Sequence, residues 1–291
     1  MQPRIRRRRF LQAGGLALTS AAMPPLASLA MKVQAGESRQ RIKKAVGWDM
    51  IQEKLSPEDK FRLVKDVGFE GVEVSSSALK SQGIDPKEMA RASEKIGIPI
   101  HGVSGAGLGD LKAAFEEAVL YGATSILYVV RADPAGSYME NYRRSQATLR
   151  EAIPHAEKAG IPILIENVWA TFLIEPLSMA RYIDELDSPF VKAYFDVGNV
   201  MRWGVPQQWI EVLGKRIGKI HVKEYSLKTA MSQGMGKGFD FPMGEGDIDW
   251  QRVREELAKI GFSSWATAEV RGGDRQRLAE ISAEVSKILA L

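Results

Sequence analysis

Eight short apolar runs punctuate the chain from residue 43 onward, and their number and spacing constrain the fold more than any other feature. They are KKAVGWDM (43–50), EGVEVSS (70–76), IPIHGVS (98–104), TSILYVV (124–130), IPILIEN (161–167), VKAYFDVGN (191–199), GKIHVKEY (218–225) and SSWATAEV (263–270). Runs of this length, rich in β-branched residues, read as strands buried on both faces. The segments between them carry helical periodicity, as at 86–96, 111–121, 142–159 and 250–260. Several end at a glycine placed to close a helix (Gly68, Gly97, Gly122, Gly160, Gly261). Pro57, Pro86 and Pro176 stand where helices start, preceded by Ser56, Asp85 and Glu175 as caps. Alternating strands and helices imply parallel pairing, and eight units allow the ring to close as a (β/α)8 TIM barrel. An open doubly wound sheet would announce a glycine-rich loop after its first strand. The chain instead has Gly47-Trp48-Asp49-Met50 there.

Residues 1–30 read as a leader rather than as part of that fold. Five arginines (Arg4, Arg6, Arg7, Arg8 and Arg9) precede an apolar run from Phe10 to Ala22, closed by Pro24 and Pro25. The order Arg7-Arg8-Arg9-Phe10-Leu11-Gln12 resembles a twin-arginine export signal, although Arg6 takes the place of the usual Ser or Thr. The expected organisation is a signal peptide (1–30), a short linker (31–41) and a single barrel (42–291). Export through the twin-arginine machinery to the periplasm follows from that reading. The net charge of +4 then belongs to the leader: removing its five arginines from 40 basic side chains leaves 35 against 36 acidic ones. No basic surface remains to argue for nucleic acid. Absence of cysteine excludes disulfides, thiolate metal sites and cysteine nucleophiles.

Active sites of such barrels lie at the carboxyl ends of the strands. Polar residues occur there in this chain: Glu73, His101, Glu166, Asp196, His221 and Glu269 end the second, third, fifth, sixth, seventh and eighth runs. Converging carboxylates are costly without a cation or shared protons. Glu166, Asp196, His221 and Glu269 follow one another around the ring. Three carboxylates and one imidazole suit a hard divalent ion, with Mn2+ expected first and Mg2+, Co2+ or Zn2+ as alternatives. A salt-bridge ring with Lys223, Arg202 and Arg271 is the purely structural alternative.

Glu166 in LIEN, Asp196 in FDVGN, His221 in HVKEY and Glu269 in TAEV resemble the metal-binding set of the xylose isomerase-like barrels. The segment 244–270 is similar to the final unit of the sugar phosphate isomerase/epimerase group within them. The resemblance implies that Glu166 and Glu269 exchange protons on opposite faces of a bound ketose. Three positions depart from the ketose 3-epimerases: Phe172, Asn199 and Leu227 stand where a sugar-holding glutamate, histidine and arginine are expected. The ketohexose-binding shell is therefore not kept, which argues against a standard free-ketose epimerase and leaves a keto-sugar or sugar derivative as the expected substrate. Trp48, Glu73, His101, Trp169, Asn199, Lys223 and Arg271 are the expected substrate-binding residues. Residues 225–247, rich in Gly, Met and Phe, read as a lid. Their GMGKG lacks the spacing of a phosphate-cradling loop.

The expected activity is therefore a metal-dependent isomerase or epimerase acting on a carbohydrate, with homo-oligomerisation compatible. A lyase or dehydratase on a 3-keto-glycoside or inosose would use the same enediolate. A sugar-binding barrel without catalysis is the third alternative.

Overall fold

The computed structural model describes residues 41–106, 111–170 and 172–291, so the expected leader and nearly all of the linker lie outside the described residues. Each apolar run contributes one strand: β1 (Lys43–Gly47), β2 (Gly71–Ser75), β3 (Ile100–Ala106), β4 (Ile126–Tyr128), β5 (Ile163–Glu166), β6 (Val191–Asp196), β7 (Ile217–Val222) and β8 (Trp265–Ala268). All pair in parallel with their sequence neighbours, and β8 returns to β1. The chain is a closed (β/α)8 barrel, and the open-sheet alternative is excluded.

Local chemistry sets the helix bounds. Ser56, Asp85 and Glu175 accept hydrogen bonds from the N–H groups of Asp59, Lys87, and Leu177 and Ser178, each just ahead of a proline in the first turn. Gly97 and Gly160 end their helices at φ of 73° and 68°, a left-handed conformation that is costly for side chains with a Cβ. The helix Tyr138–Ala159 begins four residues before the periodicity predicts, because Ser137 and Glu140 form a reciprocal capping box.

Apolar packing lies mainly between strands and helices, where Phe61, Val74, Met89, Ile126, Leu213 and Val253 are fully buried. The lumen inside the strands differs. Leu127, Leu164 and Tyr194 form a small separate cluster there, next to the buried polar side chains of His101, Lys219 and Thr267. Two glycines make room for this filling. A Cβ on Gly218 would lie 2.8 Å from Leu164 Cδ2, and one on Gly71 would lie 2.6 Å from the Trp265 ring. The freed Trp265 indole stacks on His101 at 4.6 Å.

Three helices not expected from periodicity, Ser76–Gln82, Val197–Val200 and Leu227–Gln233, follow β2, β6 and β7 at the carboxyl end of the barrel. The last belongs to the segment read as a lid, which is a packed strap. Fully buried Glu224 accepts hydrogen bonds from the N–H groups of Tyr225, Gly244 and Ile248 and from Trp250 Nε1, at 3.0, 2.6, 3.3 and 2.9 Å. A carboxylate with four donors ties the far end of the strap back to β7.

Candidate metal centre

The ends of β5 to β8 bring four side chains to one point. Glu166 and Asp196 are the last residues of β5 and β6, His221 is the penultimate residue of β7, and Glu269 follows β8. One ligand atom from each lies within 4.8 Å of all the others. His221 Nδ1 is the hub, 3.0 Å from Glu166 Oε1, 3.3 Å from Glu269 Oε2 and 3.8 Å from Asp196 Oδ2. The Asp196 side chain is fully buried and Glu269 is 49% exposed, so the cluster opens on the Glu269 side. It opens into a cavity of about 290 Å3, lined also by Asp49, Glu73, Ser75, Ser104 and Val129. A larger cleft of about 630 Å3 lies at the other end of the barrel, lined among the described residues by Ile42, Leu257, Phe262 and Leu289 and by Arg41 and Arg254.

Neighbouring residues hold this geometry. Asn167, one residue beyond Glu166, donates to the Asp196 carbonyl and accepts from the Asp196 N–H, both at 2.8 Å. Asp196 Oδ1 accepts from the Asn199 N–H at 2.8 Å and so caps the short helix Val197–Val200. Its other oxygen is left pointing at the cluster. Lys223 Nζ lies 2.7 Å from that Oδ2 and also contacts Glu269 Oε2. The stem of Lys223 runs over Gly198, where a Cβ would collide with it.

Charge dominates the electrostatics. Burial disfavours the Lys223 ammonium, but Asp196, Glu269 and Glu166 outweigh it and raise its pKa above the ordinary lysine range. Burial likewise disfavours a charged His221, yet Glu269 and Glu73 push the imidazole well above its usual value. At Asp196 burial wins instead, pushing the carboxyl up to about 7 against the pull of Lys223. The donor set fits one divalent ion. Three carboxylates and an imidazole converge, with one ligand atom of each within 4.8 Å of the others.

The other expected site residues divide. Glu73 and Lys223 reach the cluster; Glu73 Oε1 lies 3.2 Å from His221 Nε2. Trp169 forms part of an aromatic wall with Phe239 and Tyr225, and its Nε1 donates to the Asn199 carbonyl. The Asn199 amide is engaged with the Asn167 carbonyl at 3.0 Å. Arg271 is exposed beyond β8. Trp48 and His101 do not line the cavity, which corrects the expectation that they face substrate. The turn Trp48–Met50 folds the indole inward against Phe61 at 5.2 Å, with no exposure left. His101 points into the lumen, where Thr267 and Lys219 hold it.

Sequence reasoning missed Tyr194, Lys219 and Thr267. Each lies two residues before a cluster member (Asp196 and His221 on the same strands, Glu269 just past the end of β8), and the strand period of two puts such pairs on one face. That period was the available signal.

Residues 61–289 match the family described as the xylose isomerase-like TIM barrel. An uncharacterized protein of Methanocaldococcus jannaschii is 30% identical over 130 residues, a match spanning 42% of this chain and 41% of that protein. L-ribulose-5-phosphate 3-epimerase UlaE of Escherichia coli (strain SE11) is 27% identical over 257 residues, covering 82% of this chain and 84% of the relative. Among solved structures, 3-keto-D-glucoside 4-epimerase YcjR from E. coli shares the fold at a TM-score of 0.67 and 17% identity, covering 86% of this chain and all of that one.

Proposed function

The chain belongs to the xylose isomerase-like TIM barrel family, and on that premise we propose that it is a divalent-metal-dependent sugar isomerase or epimerase. The observation that carries this reading is the convergence of Glu166, Asp196, His221 and Glu269 on one point beside a small cavity. The epimerase relative, matched over most of its length, supports it.

Bound in this cluster, Mn2+ or a similar ion would supply Lewis acidity to a substrate carbonyl. The chain's own residues do the rest. Glu166, at the end of β5, and Glu269, just after β8, both line the cavity. One takes the proton next to the carbonyl, and the other returns a proton to the opposite face. Lys223 Nζ, fixed beside Asp196 and Glu269, steadies negative charge on the neighbouring oxygen.

The surroundings favour a keto-sugar derivative over a free ketose. Phe172 is used in an aromatic cluster with Tyr138 and Tyr142, at 5.2 and 5.8 Å. Asn199 spends its amide on Asn167, and Leu227 opens the helix Leu227–Gln233. None of these positions offers a charged group to hold a free sugar chain.

The test is solvent exchange. Mn2+-loaded protein is incubated in D2O with L-ribulose 5-phosphate, a free ketohexose and a 3-keto-glucoside. Deuterium uptake at the carbon beside the carbonyl, with any aglycone retained, is the expected result. Aglycone release would move the assignment to a lyase, and no exchange with any substrate would leave a sugar-binding barrel. We also propose that residues 1–30 direct export by the twin-arginine route, on the strength of Arg7-Arg8-Arg9-Phe10-Leu11. An Arg7→Lys/Arg8→Lys variant exported as well as the parent would sink that assignment.

A further inference from the structure

Beneath the ligand cluster, an unbroken run of buried hydrogen bonds crosses the lumen. Lys219 Nζ lies 3.0 Å from His101 Nδ1, His101 Nε2 lies 3.0 Å from Thr267 Oγ1, and Thr267 Oγ1 lies 2.9 Å from the Tyr194 hydroxyl. Tyr194 donates to Glu73 Oε2 at 2.6 Å, and Glu73 Oε1 lies 3.2 Å from His221 Nε2. None of the six residues is more than 5% exposed.

Elementary donor counting fixes the direction of every bond. A carboxylate offers only acceptors, so Tyr194 spends its single proton on Glu73. Thr267 must then donate its own hydroxyl proton to Tyr194, which leaves its oxygen to accept from His101 Nε2–H. His101 Nδ1 is thereby an acceptor, and the lysine at the end, which has N–H groups to give, donates to it. From the other side, Glu73 Oε1 can be met only by an N–H on His221 Nε2. Every donor in the chain points toward Glu73.

We propose that Glu73 is the positioning residue for the His221 ring, with Tyr194 holding Glu73 in place. The proton on Nε2 is held by Glu73, so Nδ1, which faces Glu166 at 3.0 Å and Glu269 at 3.3 Å, is the nitrogen that gives up its proton to a metal. Tyr194 adds a second restraint, its ring lying 4.3 Å from the imidazole. This accounts for a carboxylate on β2, on the other side of the barrel from the ligand arc. Both of its oxygens are already engaged, so it acts through His221 rather than on a substrate. The assignment rests on the metal reading of the cluster.

The experiment uses the full chain and the metal alone. Mn2+ affinity is measured by calorimetry for the parent, Glu73→Ala, Glu73→Gln and Tyr194→Phe. The ring nitrogens of His221 are assigned by 15N NMR in the Zn2+-loaded forms. In the parent, Nδ1 should be the coordinated nitrogen, and Nε2–H should carry a downfield, carboxylate-bonded proton. Glu73→Ala should lose that signal and weaken Mn2+ binding by roughly 10–100-fold, the usual scale for removing the partner of a ligating histidine. Glu73→Gln keeps a carbonyl acceptor and should recover part of the affinity, and Tyr194→Phe should lose less than Glu73→Ala. If Glu73→Ala does not fold, the Gln and Phe variants carry the same two readouts. Parental affinity and unchanged nitrogen assignments in the variants, or coordination of the parent through Nε2, would overturn the inference alone. A parent that binds neither ion would overturn the metal reading, and this inference with it.

Discussion

Between the strands and the helices, Phe61, Val74, Ile126 and Val253 pack with no exposure, whereas inside the ring of strands Glu73, His101, Tyr194, Lys219 and Thr267 fill the space with hydrogen-bonding groups. The lumen of a barrel of this kind is commonly filled by branched aliphatic side chains. Here Leu127 and Leu164 are the aliphatic members of the separate lumen cluster. The two interiors stabilise by different means. The outer shell works through buried area, which is non-directional and tolerant of exchange among residues of similar volume. The lumen works through partners, and a polar group left without one costs about 1–3 kcal/mol. The shell closes the ring; the lumen orients what stands on top of it.

The division is tested most severely at His221, where the lumen chain meets the ligand cluster. His221→Ala removes the only nitrogen of the donor set, and Mn2+ binding should fall below detection by calorimetry. The circular dichroism spectrum of the metal-free protein should stay that of the parent, because no shell contact is lost. Full metal occupancy in this variant would refute the cluster as the binding site.

The converse break lies in the shell. Phe61, on the helix Pro57–Asp66, is fully buried and packs on Trp48. Phe61→Ala should cost about 3–5 kcal/mol through lost transfer energy and the cavity left behind. Thermal melting should report that loss, while Mn2+ affinity of the folded fraction stays that of the parent. A matched fall in affinity would show that shell and lumen are one cooperative unit.

The same contrast explains what could be read from the chain. Strand number, capped helix starts and the quartet Glu166, Asp196, His221 and Glu269 were legible because each depends on local signals: apolar runs, Ser/Asp/Glu-Pro steps and polar residues closing a strand. The layer below was not. Tyr194 and Thr267 are good strand formers inside apolar runs and read as ordinary core, and Lys219 reads as a solvated charge until the strand period places it beneath His221. Trp48 misled for another reason. Its side chain follows a single 3-10 turn, Trp48–Met50, whose direction no periodicity records. The helix Val197–Val200 is likewise too short for a helical pattern and exists because Asp196 caps it.

The smallest expected effect is at the far end of the lumen chain, and it bears most closely on why the lumen is polar. Lys219 is buried, and that burial lowers its pKa to about 7, a sign that the charged ammonium is disfavoured where it stands. Lys219→Met keeps most of the volume and removes that cost, but leaves His101 Nδ1 without its donor, while the His101 carbonyl keeps those of Thr124. Replacing a buried charge by an apolar group of similar size is often neutral or stabilising, and an orphaned acceptor costs about 1–3 kcal/mol, so the two largely cancel. Melting should therefore shift by a few degrees at most, in contrast to Phe61→Ala. Mn2+ affinity should change by less than about threefold, or roughly 0.6 kcal/mol, because Thr267, Tyr194 and Glu73 still separate the altered site from His221. A loss as large as that of Glu73→Ala would mean that the ring is held by the whole chain of bonds rather than by its last two members, and the positioning role would then belong to the lumen as a unit.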